Sequence, residues 1–480
     1  MQQSYTAEQI RQAERIALAR TPEGALMARA ARAVADAVLS RMPSPIPGRA
    51  AVLLVGPGNN GGDALYAGAL LLGRGMQVTA ILADPDRAHL PGMTLLRRRG
   101  GRAIAAGSPD VPRLIGRADA IVDGLVGIGA RPPLRAPMDD LVRRATDSPA
   151  WRIAVDLPSG IDPDDGRSPG AAFDADITVT MGGLKTGLLL SDLAGDVRVA
   201  TIGMDPASLS DASGRSIDCD ANIVTDDDVA ALMPQPGAQD DKFSLGVTGV
   251  LAGSVRYPGA ALLAVGGAVR MRPGLVRYAG PQALAVVQRW PEAVVGADPA
   301  SAGRVQAWVA GPGLGTDGAA LAPLRDVLDA DVRALVDADG LTLLAAAPSL
   351  LARGTRRGAV TVLTPHAGEF ARLFPDLDPA DRPASVRAAA ARSGAIVLLK
   401  GHRTVLADPA GRTMINTSGS PWLATAGSGD VLAGMAGSLL ATGLDPLTAV
   451  ALAAHIHGRA GERAAAAGRA GASALLDLLR

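Results

Sequence analysis

Residues 51–63 read Ala51-Val52-Leu53-Leu54-Val55-Gly56-Pro57-Gly58-Asn59-Asn60-Gly61-Gly62-Asp63. A short unbroken apolar run meets a glycine-rich turn, which predicts a buried strand, Ala51–Val55, feeding the start of a helix. Outward from there the rhythm repeats. Strands are predicted at Val78–Leu82, Ala120–Val122, Ile153–Val155, Ile177–Thr180 and Val197–Ile202. A second series runs through Val250–Ala252, Val276–Tyr278, Trp308–Ala310, Ala334–Val336, Val360–Leu363 and Ile396–Leu399. Alanine-rich helical stretches such as Gly259–Met271 and Val431–Leu440 separate them. Strands alternating with helices specify the α/β class, each sheet mostly parallel and flanked by helices. A chain of 480 residues is too long for one core. Apolar character ends near Met204, and Pro206–Asp228 is polar, so the chain is expected to divide into domains 1–217 and 218–480, with a linker around residue 217.

Lys+Arg and Asp+Glu are both 47, so the formal charge is zero and no basic surface for nucleic acid or membrane headgroups is expected. Cys219 is the only cysteine, which excludes an internal disulfide and a thiolate zinc site. Met1–Arg20 reads as a charged amphipathic helix, with Glu8, Arg11, Glu14 and Arg15, rather than a signal peptide. Charges interrupt every apolar stretch before it reaches membrane-spanning length. A cytoplasmic, homo-oligomeric enzyme with small-molecule substrates is the expectation. Lysine is rare: Lys185, Lys242 and Lys400 are the only three, each beside a glycine-rich motif, where a compact ammonium differs from an arginine fork.

The first glycine cluster opens a helix, whose free amides and dipole suit a phosphate or another polar group. Gly56, Gly58 and Gly61 also satisfy G-x-G-x-x-G, and Asp84 lies where a ribose-binding acid would stand, so a dehydrogenase has to be weighed. Against it, Asp63 near the helix start would repel a pyrophosphate. Two later strands end in carboxylates, Asp123 and Asp156, the second followed by Leu157-Pro158-Ser159-Gly160. If these strands are neighbours, Asp123, Asp156, the Asn60 amide and the Ser159 hydroxyl form a hard-oxygen set for an alkali or alkaline-earth cation. The competing structural reading makes them helix caps at strand-to-helix turns.

In the second half, Thr425-Ala426-Gly427-Ser428-Gly429-Asp430 precedes a long apolar helix. The glycines let amides face an anion, and Asp430 then stands in the first turn, able to exchange a proton with a substrate hydroxyl. No G-x-x-x-x-G-K-[ST] occurs. Lys400-Gly401-His402-Arg403-Thr404, at the end of a strand, supplies a lysine and successive amides for phosphates. Gly311–Gly315 and Asp337–Gly340 are further strand-end loops, and Thr364–Glu369 puts His366 on the same rim. His455 and His457 lie in an alanine-rich helix and read as core or surface.

Taken in order, GPGNNGGDAL (56–65), DGLVGIGARPPL (123–134), AVDLPSGID (154–162) and MGGLKTG (181–187) resemble the epimerase half of the bifunctional NAD(P)H-hydrate repair enzyme family. This resemblance covers residues 1–215. It implies a Rossmann-like domain in which Asn60, Asp123 and Ser159 hold a potassium ion. It also implies that Asn59, Asn60, Gly61, Gly62, Asp63, Gly127, Ile128, Gly129, Ala130, Arg131, Pro132, Pro133 and Asp156 meet the substrate. Ala64 departs from the usual glycine. The hydrated nicotinamide is a hemiaminal, so Asp156 is expected to move a proton while a cation or Lys185 steadies an oxyanion.

Residues 220–480 resemble the ribokinase-like dehydratase half through Gly253-Ser254, Tyr257–Ala260, GPGLG (311–315), DADGL (337–341), TPHAGEF (364–370), LLKGHRT (398–404) and TAGSGDVLAGM (425–435). That resemblance implies ADP, with magnesium, on Lys400, Gly401, His402, Arg403, Thr404, Ala426, Gly427, Ser428 and Gly429. Ala260, Gly313, His366 and Asp430 are then expected to face the hydrated dinucleotide. Ser420-Pro421-Trp422-Leu423 departs from the family's lead into the glycine turn. The function implied is epimerisation of hydrated NADH and NADPH, then ADP-dependent dehydration. A small-molecule kinase joined to an NAD-dependent oxidoreductase is the alternative enzyme class, and a non-catalytic nucleotide sensor a third.

Overall fold

A computed structural model describes residues 1–210, 213–356 and 359–479. The chain forms two compact units, residues 3–220 and residues 221–480, the latter taking in Met1–Gln2. Both are α/β, with mostly parallel sheets, as the sequence predicts. No helix among the described residues is long and apolar enough to cross a membrane.

In the first unit seven strands run in the order Arg102–Ala105, Gln77–Leu82, Ala50–Val55, Ala120–Gly124, Trp151–Val155, Ile177–Met181, Asp196–Ala200, every pair parallel. Alternate residues of Ala50–Val55 serve opposite faces. Ala51, Leu53 and Val55 join a core with Val34, Val38, Leu65 and Leu71 from the helices Ala25–Leu39 and Asn59–Leu72. Val52 and Leu54 join another with Ile115, Leu141 and Val142 on the far side. Burial on both faces is why the run is continuously apolar instead of alternating. Each fully buried Leu or Val contributes about 1.5–3 kcal/mol.

The second unit carries ten strands in the order Val294–Gly296, Leu275–Ala279, Val247–Leu251, Ala307–Ala310, Arg333–Val336, Thr361–Leu363, Ile396–Leu399, Thr404–Ala407, Thr413–Asn416, Ala221–Ile223. Pairing is parallel up to Ile396–Leu399 and antiparallel across Thr404–Ala407. The Lys400–Arg403 loop is therefore the turn of a hairpin whose second strand the sequence did not reveal. Helices Pro258–Arg270 and Ser428–Ala441 cross in backbone contact, because Gly434 sits against the Ala264 carbonyl and Gly267 against that of Val431.

The expected linker is more ordered than its composition suggests. Ala221–Ile223 is a strand, and the acidic run Asp226–Asp228 opens the helix Asp226–Leu232. Thr225 and Asp228 form a reciprocal cap, and three carboxylates at a helix N-terminus complement its dipole.

Candidate active sites

In the first unit, Ala50–Val55, Ala120–Gly124 and Trp151–Val155 are neighbours, with Leu54 opposite Asp123 and Asp123 opposite Ala154. Their carboxyl ends thus reach one crevice. Gly56 permits the close approach, since a side chain there would strike the Leu125 carbonyl. The Asn60 amide nitrogen donates to the Val126 carbonyl (3.1 Å) and the Val155 carbonyl (2.9 Å). That turns Asn60 Oδ1 toward Gly127. Asp123 is fully buried and accepts from the Leu125 amide (3.1 Å), the Ser159 amide (2.7 Å) and the Ser159 hydroxyl (2.7 Å). The Val126 amide donates to Ser159 Oγ at 3.2 Å, so Asn60, Asp123 and Ser159 form one connected polar cluster. Burial pushes the Asp123 carboxyl up to about 6, against the hydrogen bonds from Ser159 and Leu125.

Asp156 has φ 69°, a left-handed conformation unusual for a residue with a Cβ and worth about 1–2 kcal/mol of strain. Its Oδ1 accepts from the Met181 amide (2.9 Å) and from Lys185 Nζ in a short ion pair. Lys185 is wholly buried and also donates to Thr180 Oγ1 and the Met181 carbonyl, both at 2.9 Å. Asp63 is buried and its Oδ1 has no hydrogen-bond partner. Burial, then the charges of Asp156 and Glu14, push it up to about 8, so at neutral pH it is a proton donor. It is the fifth residue of the helix Asn59–Leu72, beyond the first turn, and its neutrality removes the pyrophosphate repulsion expected of it. Glu14 belongs to the same group; burial and the Asp156 charge raise its pKa. Its signal was present in the sequence, since Glu14 shares a helix face with the buried Ile10 and Ala17.

Asn59 is exposed at the helix start and Gly61 and Gly62 are buried behind it. Arg11 fixes the 127–133 loop by donating to the Ile128 carbonyl at 2.8 Å. Arg131 and Pro132 border an open cavity of about 790 Å3 shared with Arg167 and Asp192. Asp84 accepts from the Asp86 amide at 3.2 Å as the cap of its own turn.

In the second unit, Gly427 takes φ 86° to cap the helix Ser428–Ala441, as the glycine turn requires. Lys400 Nζ donates to Asp337 Oδ1 at 2.6 Å, beside Gly429. Burial, then Asp337, pushes Asp430 up to about 7, with Lys400 opposing and Asp339 adding. Lys400, Gly401, His402, Thr404, Ser428 and Gly429 line a cavity of about 460 Å3. A second cavity, about 560 Å3, is lined by Gly253, Ser254, Tyr257, Gly315 and Asp339. Asp430 thus interacts with a residue of each. Gly313 abuts Ala260 and Tyr257.

Other sequence-predicted residues have structural employment. His366 caps the helix Ala367–Leu373, its Nδ1 accepting from the amides of Gly368 (3.0 Å) and Glu369 (3.3 Å). Arg403 donates to the Thr417 carbonyl at 3.3 Å, and Ala426 lies in the turn before the helix. Besides Glu14, one residue was missed. Half-buried Arg382 donates to the carbonyls of Leu399 and Lys400, fixing the lysine loop, and no motif marks it. His457, expected to be ordinary core or surface, is buried and also borders the 460 Å3 cavity, and His455 serves the framework by pairing with Asp226 at 2.8 Å.

Residues 23–187 match a family model described as YjeF-related protein N-terminus, and residues 248–479 one described as NAD(P)H-hydrate dehydratase. The chain is 45% identical over 469 residues to the bifunctional NAD(P)H-hydrate repair enzyme of Mycobacterium leprae, covering 97% of this chain and 95% of that protein. The chain belongs to the bifunctional NAD(P)H-hydrate repair enzyme family. Another member of the family, from Corynebacterium glutamicum, is 35% identical, with 92% of this chain and 87% of that protein covered. Among solved structures, the ADP/ATP-dependent NAD(P)H-hydrate dehydratase of Bacillus subtilis, co-crystallised with ATP and magnesium, is 30% identical, with a TM-score of 0.47 over 53% of this chain and 95% of that one.

Proposed function

We propose that residues 1–217 epimerise hydrated NADH and NADPH and that residues 218–480 dehydrate the S form at the expense of ADP. The observation that carries this is the acid–base equipment at the strand ends of each unit: neutral Asp63 beside the Asp156–Lys185 pair in one, and Asp430 beside the Lys400–Asp337 pair and a glycine-rich helix start in the other.

The substrate carries a hydroxyl on the ring carbon next to nitrogen. Reversible loss of that hydroxyl, or ring opening, inverts the centre. Asp63 donates a proton to the departing oxygen, or Asp156 accepts one, with Lys185 steadying negative charge. Residues Asn59–Asp63 and Gly127–Pro133 surround the nicotinamide. The Asn60, Asp123 and Ser159 cluster fits a potassium ion because it gathers hard oxygens, with buried Asp123 joined to Ser159 Oγ at 2.7 Å. When bound, the ion would supply positive charge beside that buried carboxyl.

In the second unit Lys400–Thr404 and Ala426–Gly429 hold the nucleotide phosphates, and Ala260, Gly313 and His366 face the dinucleotide. Asp430 accepts the ring hydroxyl's proton as that oxygen takes the terminal phosphoryl group of ADP, releasing AMP. Phosphate then leaves with the ring nitrogen's assistance, and loss of the neighbouring C–H proton restores the dihydronicotinamide. Magnesium neutralises phosphate charge when bound. Asp337, buried and 2.6 Å from Lys400, is the carboxylate that would help hold it. Against the oxidoreductase alternative, the relative matched along 97% of the chain is an NAD(P)H-hydrate repair enzyme.

The test supplies each epimer separately with ADP or ATP and follows the return of NADH absorbance. Return from the S form only with nucleotide, and from the R form through the S form, is expected. No return from either epimer would sink the reading.

A further inference from the structure

The roughly 460 Å3 cavity beside Lys400 and Gly429 extends past the groups that suit phosphates. Leu423, Leu432 and Ala454 give that part apolar walls, and residues 418–421 border it as well. We propose that Glu462, on the helix Pro446–Ala466, is a positioning residue for the nucleotide: by accepting a hydrogen bond from the Gly419 amide it holds the 418–423 segment as the wall against which the nucleoside of ADP packs. This inference rests on reading the cavity as the nucleotide site.

The segment joins the strand Thr413–Asn416 to the glycine turn, and its only regular piece is the short 3-10 turn Pro421–Leu423. Among the described residues it pairs with no strand, so its place is set by what it leans on, which is the helix Pro446–Ala466. His455, Gly458 and Glu462 recur on one face of that helix, with Gly461 beside them. Two glycines bring the surfaces into contact: a side chain at Gly458 would strike the Ser418 hydroxyl and carbonyl, and one at Gly461 the Leu423 side chain. Ser418 Oγ lies 3.0 Å from the His455 carbonyl. Glu462 completes the row, its Oε1 accepting from the Gly419 amide at 2.9 Å. A hydrogen bond to an ionised carboxylate is stronger than one between neutral groups. The carboxylate is also fixed from behind. Arg459 donates to its other oxygen and pairs with Asp226 at 3.2 Å. Its negative charge would repel polyphosphate on direct contact, so its use to a nucleotide lies in the wall it holds, a surface already in place when ADP arrives.

The experiment measures binding of the magnesium complex of ADP to the full chain by calorimetry, together with kcat and both KM values for dehydration of the S form. Wild type, Glu462→Leu, Glu462→Ala and Glu462→Gln are compared after thermal melting establishes that they are folded; should leucine not fold, alanine carries the test. Leucine and alanine remove the acceptor, whereas glutamine keeps an acceptor and loses only the charge. Arg459 retains Asp226 in all three. Glu462→Leu and Glu462→Ala should weaken ADP by about tenfold, in Kd and KM alike, the scale of one hydrogen bond. Their kcat at saturating ADP and their KM for the S form should hold, because Lys400, Asp337 and Asp430 are untouched. Glu462→Gln should recover most of the affinity. Unchanged or tighter ADP binding in the acceptor-free variants overturns the proposal, the tighter result meaning that the carboxylate acts only by repelling phosphate. A glutamine variant as weak as the leucine one overturns it, and so does a fall in kcat or a parallel rise in both KM values, the mark of general loosening. Wild type that binds no ADP overturns the cavity's assignment as the nucleotide site, and this proposal with it; wild type that binds while the variants match it overturns the proposal alone.

Discussion

Asp63 is a buried carboxyl without a partner, and its ionisation couples to folding with a definite sign. In the unfolded chain it ionises near its usual value of 3.8, whereas in the fold it keeps its proton until about 8. The folded state therefore binds more protons between those values, and this contribution to stability falls as pH rises from about 4 to about 8. Asp63→Asn should remove that dependence, giving a denaturation midpoint that exceeds wild type most clearly near pH 8. Asp430 supplies a different pH signature. Its ionised form is the base, so kcat/KM for dehydration should fall as pH drops below about 7, and Asp430→Asn should lose turnover by about 10²–10⁴-fold while still binding ADP. At Asp156 the choice of substitution matters. Alanine would strand the Lys185 ammonium, fully buried, and cost about 3–5 kcal/mol, whereas asparagine keeps the hydrogen-bonding shape and tolerates the positive φ. Asp156→Asn, which also removes the charge facing Lys185 but keeps a hydrogen-bond acceptor, should melt below wild type and above Asp156→Ala, and lose epimerisation.

Elements, more than single residues, aim these groups. Helix Ser428–Ala441 presents Gly427–Asp430 at its N-terminus, and its direction is set by backbone contact with Pro258–Arg270 at Gly434. Gly434→Val would force the two helices apart. Overpacking ordinarily costs about 1–3 kcal/mol, and more where backbone must move. Dehydration should be lost and the second unit's unfolding transition lowered, with epimerisation preserved; an unchanged dehydratase would refute this account. Local sequence showed these helices but not their crossing. The hairpin Thr404–Ala407 and Thr413–Asn416 escaped notice similarly, because its turn reads as a phosphate loop and its strands are only four residues each.

Across the whole molecule, the two activities are assigned to separate sets of residues, so single-site variants should complement in a mixture. With both epimers present, Asp156→Asn plus ADP should stop once the S form is consumed. Adding Asp430→Asn, which retains the epimerase groups, should carry the reaction to completion. The sequence by itself determined the α/β class, the two series of strands and the glycine turns, because apolar runs bounded by Gly, Asp and Pro are local signals of burial and reversal. It also marked Asn60, Asp123, Asp156, Ser159, Lys400 and Asp430, polar residues placed just after strands or in the first turn of a helix. Tertiary structure alone decided that Glu14 faces Asp156, that Arg382 braces Lys400 and that Lys400 pairs with Asp337. These are contacts between residues far apart in the chain, and which of a helix's polar residues loses its water depends on neighbours that periodicity does not specify.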